Sequence, residues 1–139
     1  MTYAVSAALQ AAVFQKLSTD VALTALVGTA IYDEVPAGVL PSTYVTLGPE
    51  DVRQQSDKTS EGAWHNFIIS VVTDSAGFFA AKQVAVAISD ALIDANLTLS
   101  RGQLAGLYFF RARARRVAAG QQRRIDLTFR ARVDDTTTP

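Results

Sequence analysis

The chain has 139 residues, of which 49% are hydrophobic and 19% are charged, a composition that supports a buried core and is too apolar for a disordered chain. It contains no cysteine, so disulfides and thiolate metal sites are excluded. The net charge of zero divides into −5 over residues 1–110 and +5 over residues 111–139. A protein that mainly coats DNA is usually basic overall, whereas a subunit with complementary ends can contact copies of itself head to tail.

The first third of the chain predicts two helices and a connection. Apolar residues recur at helical spacing over residues 3–17, and the lack of a basic start favours an amphipathic helix over a signal peptide. No segment is apolar for long enough to span a membrane. Residues 21–27 predict a short helix that ends at Gly28. Two prolines, Pro36 and Pro41, predict an irregular connection after it.

The middle of the chain predicts two strands, a polar loop and a helix. Residues 42–48 alternate as a strand does, and residues 63–74 are apolar on both faces, which is typical of a central strand. Residues 49–62, between them, are polar, charged and without period, so we expect a long exposed loop. An alanine-rich helix is predicted over residues 76–95, with a face that can lie close to a sheet.

Two arginine-rich strands are predicted at the end of the chain, over residues 107–117 and 123–133. The second strand alternates cleanly between apolar residues and mostly charged ones, so one face is expected to be buried. In the first strand, the same alternation places Tyr108 and Phe110 inward and the arginines outward. A hairpin of these strands collects guanidinium groups on one surface, which then needs acidic partners or a polyanion.

The order of these elements predicts an α+β fold. We expect a mostly antiparallel sheet of about four strands, packed with one long helix and the N-terminal helices. One domain is expected over residues 1–139, with residues 134–139 as a frayed tail.

The sequence shows no motif that is typical of a catalytic, metal-binding or phosphate-binding site. His65 is the only histidine, and without a nucleophile-elbow motif it is interpreted as a packed, hydrogen-bonded ring. One histidine and no cysteine leave only carboxylates for a metal, and no phosphate-binding glycine motif is present. We therefore predict no enzyme activity, cofactor or metal site. A pair of carboxylates acting as acid and base stays open, because such groups meet in space rather than in sequence.

Protein contact is the favoured interpretation of the arginines, since guanidinium groups bind carboxylates in a bidentate way and are enriched at interfaces. A solvated strand face and nucleic-acid binding are the alternatives. Nucleic-acid binding is less favoured because the alternation turns Phe110 and Phe129 away from the arginines, where no base can stack on them. The predicted subunit or partner interface comprises Arg111, Arg113, Arg115, Arg116, Arg123, Arg124, Arg130, Arg132, Glu50, Asp51, Asp57 and Glu61.

The order of several short motifs resembles the tail completion, or tail terminator, family of tailed phages. A short helix leads into L-V-G-x-x-I-Y, a proline-rich link and a P-x-x-Y-V strand. These motifs are matched by Leu26, Val27, Gly28, Ile31, Tyr32, Pro41, Tyr44 and Val45. A polar loop, a strand that ends in TD, a helix that runs to ALID and the strand IDLTFRARV follow in the same order. The resemblance covers about residues 5–133.

This resemblance implies a structural protein of a virion or phage-like particle, such as a gene transfer agent, assembled in the host cytoplasm. It implies a homo-oligomeric ring, usually a hexamer, that caps the tail tube, stops its growth and joins it to the head-side connector. Catalytic residues, cofactors and a membrane partner are not implied. The arginine-rich run exceeds the family pattern, so its partner stays open between the next subunit, the tail tube and DNA in the lumen. The alternative function is a nucleic-acid-binding module that uses the arginine-rich hairpin.

Overall fold

The computed structural model describes residues 3, 5–54, 62–93 and 95–134. Three α-helices, five strands and one 3₁₀ turn make up this part of the chain. In chain order they are α1 (Ser6–Thr19), α2 (Val21–Val27), β1 (Ile31–Tyr32), β2 (Thr43–Gln54), β3 (Gly62–Thr73), α3 (Phe79–Ile93), β4 (Gln103–Val117), the 3₁₀ turn (Ala118–Gly120) and β5 (Gln122–Asp134).

The strands form one mixed sheet in the order β1-β2-β3-β5-β4. β1 runs parallel to β2, and every other neighbouring pair is antiparallel. The predicted α+β class is confirmed, but the sheet has five strands rather than about four. The additional strand is β1, which pairs Ile31 with Val45 and Tyr32 with Thr46. Two residues carry too little alternation to be recognised as a strand.

The predicted exposed loop over residues 49–62 is wrong at both ends. Strand β2 continues to Gln54 and β3 begins at Gly62, so only residues 55–61 separate them, and these lie outside the described residues. The polar part of β2 is a strand because its backbone pairs with β3, from Glu50 opposite Phe67 to Gln54 opposite Ala63. The predicted tail over residues 134–139 is wrong at its first residue, because β5 continues to Asp134. Residues 135–139 lie outside the described residues.

The helices cover one face of the sheet, here named the helix face. Helix α3 contacts β3, β4 and β5, and α1 and α2 pack beside it. It is 15 residues long and α1 is 14, so the prediction of one long helix is replaced by two of similar length. None of the described helices is long and apolar enough to cross a membrane.

A cluster of aliphatic and aromatic side chains fills the space between helices and sheet. Phe129 of β5 is fully buried, and its ring lies 5.8 Å from that of Phe67 and 5.9 Å from that of Phe109. Burial of one such side chain contributes about 1.5–3 kcal/mol. The other side chains that reach full burial include Leu9, Leu17, Leu23, Val45, Ile69, Val71, Ile88 and Leu92. The core therefore lies on the helix face and leaves much of the opposite face accessible.

Candidate interaction surface

The face of the sheet opposite the helices, here named the outer face, carries most of the arginines. On β5, Arg124, Arg130 and Arg132 alternate with buried apolar residues, as predicted. On β4, the register places Arg113 opposite Asp126 and Arg115 opposite Arg124. By the same alternation, Arg116 and Arg123 face the other way, opposite each other. The outer face thus holds Arg111, Arg113, Arg115, Arg124, Arg130 and Arg132.

A bulge in β4 changes which aromatic residues share this face. The pairing with β5 shifts between Phe109 and Arg111, so Phe110 is an extra residue and the alternation restarts after it. Phe109 faces Phe129 on the helix face, whereas Phe110 is 53% exposed and lies against Arg130. The sequence prediction that Tyr108 and Phe110 point inward is therefore wrong for both, since Tyr108 is paired with Arg130 and is also 53% exposed.

Three aromatic side chains and two arginines form an aromatic–arginine cluster at one end of the outer face. Trp64 of β3 lies 6.1 Å from Tyr108, ring to ring. The guanidinium carbon of Arg130 is 4.8 Å from the Trp64 ring centre and 5.4 Å from that of Phe110, and Arg132 is 6.0 Å from Trp64. Each such cation–π contact is worth about 0.5–2 kcal/mol. Phe129 is turned away from the arginines, as predicted, but the prediction that Phe110 is turned away from them, which counted against nucleic-acid binding, is wrong.

Asp126 neutralises the arginines at the other end of the outer face. Its carboxylate accepts hydrogen bonds from Arg124 Nε at 2.8 Å, Arg115 Nη2 at 3.2 Å and Ser70 Oγ at 2.6 Å. Burial by itself raises the pKa of Asp126, but the hydrogen bonds from Ser70, Arg124 and Arg115 outweigh it, so the pKa lies below its ordinary value. Sequence reasoning did not select Asp126, although the alternation of the last strand places it on the same face as Arg124 and Arg130.

Three arginines of β4, the strand at one edge of the sheet, remain available to a partner. Arg111, Arg113 and Arg116 are exposed. Within the described part of the chain, no carboxylate lies within ion-pair distance of any of the three. Because β4 is an edge strand, these side chains project beside an open row of backbone groups.

The structure describes two of the four acidic residues predicted to bind arginines, and these two differ in exposure. Asp51 is 64% exposed in its side chain and lies 3.5 Å from Arg53 of the same strand, so it stays accessible. Glu50 turns inward, and its side chain is only 17% exposed. Asp57 and Glu61 lie outside the described residues. Of the four, the structure leaves Asp51 as the accessible carboxylate among the described residues.

Glu50 instead connects β2, β3 and the start of α1. Its carboxylate accepts hydrogen bonds from Ser6 Oγ at 2.5 Å and Tyr3 Oη at 2.7 Å, and it lies 3.2 Å from His65 Nδ1. Burial alone raises the pKa of Glu50, but the hydrogen bonds from Ser6, Tyr3 and His65, with the charge of His65, hold it below its ordinary value. A carboxylate with three internal partners has a structural role rather than an intermolecular one.

His65 is a packed, hydrogen-bonded ring, as predicted, with 1% of its surface exposed. Both His65 and Ser6 contact the same carboxylate, so histidine does not activate the serine hydroxyl as it does in a nucleophilic triad. Among the described residues, no three histidine or acidic side chains lie close enough to hold a metal ion.

Comparison with known proteins identifies the family. The family model described as "Tail completion protein gp17" matches residues 11–134. A chain in the solved structure "Virion of native gene transfer agent (GTA) particle" is 63% identical, with a TM-score of 0.91, over 96% of this chain and 99% of that chain. No curated protein matches. The resemblance found in the sequence is confirmed, and the chain belongs to the tail completion protein family described as gp17.

Proposed function

We propose that this chain is a structural component of a phage or gene transfer agent particle. In this proposal it forms a ring, a hexamer in the family pattern, that caps the tail tube and joins it to the head-side connector. The observation that carries the particle assignment is the 63% identity, over 96% of the chain, to a chain of a gene transfer agent virion. Membership of a tail completion family supports the position at the end of the tail.

The distribution of charge supports the ring. Arg111, Arg113 and Arg116 on β4 have no ion-pair partner among the described residues, while acidic residues occupy other parts of the surface, so a neighbouring subunit can supply the missing charge. The predicted contacts of Arg111, Arg113 and Arg116 with acidic residues such as Asp51, Asp57 and Glu61 of a neighbour belong to this proposal. A protein whose task is to occupy a position needs such surfaces and no reactive groups.

Imaging of the purified protein with tail tubes tests this proposal. We expect rings in electron micrographs, and we expect tail tube protein polymerised in their presence to form shorter tubes with density at one end. In purified particles, a label on this chain should lie between tail and head. Monomers alone, with tubes of unchanged length and no end density, would refute the ring and the capping role together.

Nucleic-acid binding is a second candidate, favoured by the aromatic–arginine cluster. Tyr108 and Phe110 are each 53% exposed beside Arg130, an arrangement on which bases can stack. Binding of this kind weakens steeply with salt, in proportion to the phosphates contacted. Fluorescence anisotropy with labelled single- and double-stranded DNA tests this candidate. The affinity is measured at salt concentrations from about 50 mM to about 200 mM. If nucleic acid is the partner of these arginines, reversal of Arg111, Arg113 and Arg115 to glutamate abolishes DNA binding and leaves assembly intact. The opposite pattern would exclude this candidate and favour the ring.

A further inference from the structure

The two edges of the sheet carry opposite charge. One edge is β4, with Arg111, Arg113 and Arg116 exposed; we name it the basic edge. The other edge consists of β1 with the residues that follow it and the part of β2 that β1 leaves unpaired. It exposes three carboxylates and one guanidinium, and we name it the acidic edge. Its charged residues are Asp33, Glu34, Asp51 and Arg53.

The basic edge is protected against one mode of association and open to another. β4 is a 15-residue strand, and an edge of that length presents many unpaired N–H and C=O groups. Arginines directly opposite one another destabilise a strand pair, so β4 does not pair well with β4 of a second copy. An acidic strand meets no such repulsion. The charge pattern therefore disfavours a two-fold contact and permits a head-to-tail one.

The register across the sheet aligns the two edges. Following the strand pairs, one row of residues starts on the acidic edge at Tyr32 and ends on the basic edge at Arg113. The row is Tyr32, Thr46, Ser70, Asp126 and Arg113. Asp33 and Glu34 directly follow Tyr32.

Suppose that a second copy is placed beside β4 so that the two sheets continue each other with no shift along the strands. Asp33 and Glu34 of the second copy then lie beside Arg111 and Arg113 of the first. Because β2 is antiparallel to β3, β3 to β5 and β5 to β4, β4 runs opposite to β2. The sheet of one copy would thus meet that of the next in the antiparallel sense, which is the slightly more stable arrangement.

An apolar groove lies beside the basic edge on the helix face. It has a volume of about 350 Å³ between α3 and β4, and its lining includes Val86, 58% exposed, and Phe109, 46% exposed. The segment after β1 exposes Val35 and Val39, at 38% and 103%. Both edges thus expose apolar side chains next to their charged ones, and contact between two copies can remove such side chains from water.

We propose that the basic edge of one subunit binds the acidic edge of a second copy, which extends the sheet from subunit to subunit. The inference rests on the proposed ring and names the surfaces that close it. Contacts between two different surfaces of one chain produce rings when the rotation closes. The partner of the β4 arginines is then the next subunit, through Asp33 and Glu34, residues that the sequence did not select.

Charge reversal tests the proposal. The basic-edge variant carries Arg111→Glu and Arg113→Glu, and the acidic-edge variant carries Asp33→Arg and Glu34→Arg. By native mass spectrometry and light scattering, we expect each variant alone to associate at least tenfold more weakly than the unmodified chain. An equimolar mixture should recover oligomers in which the two variants alternate, because the two reversed edges then meet each other with opposite charge, and the two unmodified edges do the same. Controls are Lys16→Glu on α1 and Asp90→Arg on α3, which should assemble normally.

The possible results separate this inference from the ring itself. Normal assembly of either reversal variant alone, or weakened assembly that the mixture does not restore, overturns the edge contact and leaves the ring standing. An unmodified chain that stays monomeric even with tail tubes overturns both. Circular dichroism checks that each variant is folded. If a reversal unfolds the chain, the neutral pairs Arg111→Gln with Arg113→Gln and Asp33→Asn with Glu34→Gln replace it, with weaker association as the expected result and unchanged association as the contrary one.

Discussion

The carboxylate of Glu50 on β2 lies 3.2 Å from Nδ1 of His65 on β3, within the helix face of the sheet. A bulge between Leu47 and Glu50 causes this inward placement. Without the extra residue, the alternation that buries Val45 would direct Glu50 to the outer face. The start of α1 is attached at the same point, because Ser6 Oγ donates to this carboxylate.

We expect Glu50→Gln to lower the free energy of unfolding by about 1–3 kcal/mol, because the buried donors of Ser6 and His65 lose an ionised acceptor. Urea denaturation at pH 7 measures the change. Asp90→Asn, at an exposed position on α3, should change the free energy by less than about 0.5 kcal/mol. Equal effects of the two substitutions would contradict the internal role of Glu50.

Stability should fall in acid, and Glu50 should account for part of the fall. The pKa of Glu50 is lowered in the folded chain, so its contribution is present above the unfolded-state pKa and is lost as pH falls through the folded-state value. The window thus lies below about pH 4.3, the ordinary value for glutamate. Denaturation curves between pH 7 and pH 3 should show a shallower decline for Glu50→Gln than for the unmodified chain, and parallel declines would be the contrary result.

Asp126→Asn should destabilise the hairpin of β4 and β5, because Arg115 and Arg124 then face each other without a carboxylate between them. We expect a loss of about 1–3 kcal/mol, and part of it should be recovered at high salt, which screens the repulsion. Asp51→Asn is the matched control, since an exposed ion pair is worth about 0–1 kcal/mol. Thermal unfolding in low and high salt distinguishes the two.

The aromatic residues of the hairpin provide a test of the β4 bulge. Phe129→Ala should cost about 3–5 kcal/mol, because it empties a fully buried site. Phe110→Ala should cost no more than about 1–2 kcal/mol, since it removes one half-exposed ring and its contact with Arg130. Regular alternation predicts instead a large loss for Phe110, so denaturation of the two variants decides between the arrangements.

The turn between β4 and β5 can be stabilised. Ala118 and Ala119 have φ of 54° and 56°, a left-handed conformation that costs an alanine about 1–2 kcal/mol. Asparagine tolerates this conformation, so we expect Ala119→Asn to raise the free energy of unfolding by about 0.5–1 kcal/mol. Ala105→Asn, at a position in β4 without a positive φ, should bring no gain. Chemical denaturation compares the two, and equal effects would contradict the assigned turn.

Regular elements and their faces could be read from the sequence where many residues repeat one pattern. β5 buries Ile125, Leu127 and Phe129 as its alternation predicts, and Asp20 caps α2 by accepting a hydrogen bond from the Leu23 backbone N–H at 2.9 Å. The family resemblance also follows from the order of motifs and is confirmed by the family model over residues 11–134.

The bulges could be predicted only in part. Gly48, followed by proline, was a signal for the bulge in β2, since glycine and proline inside a strand often mark one. A Cβ at Gly48 would lie 2.9 Å from the Ile68 carbonyl oxygen, which is closer than side chains normally allow. The bulge at Phe110 has no such signal, because neither glycine nor proline stands between Phe109 and Arg111.

The sequence by itself determined the α+β class, the family, the charge separation and the apolar face of β5, because these depend on local composition and on period. Only the tertiary structure decided which side chains share a face after each bulge, because one extra residue reverses the direction of those that follow. It also decided the partners. Glu50 binds His65, and Asp126 binds Arg115 and Arg124, because strand pairing brings together residues that are far apart in the chain.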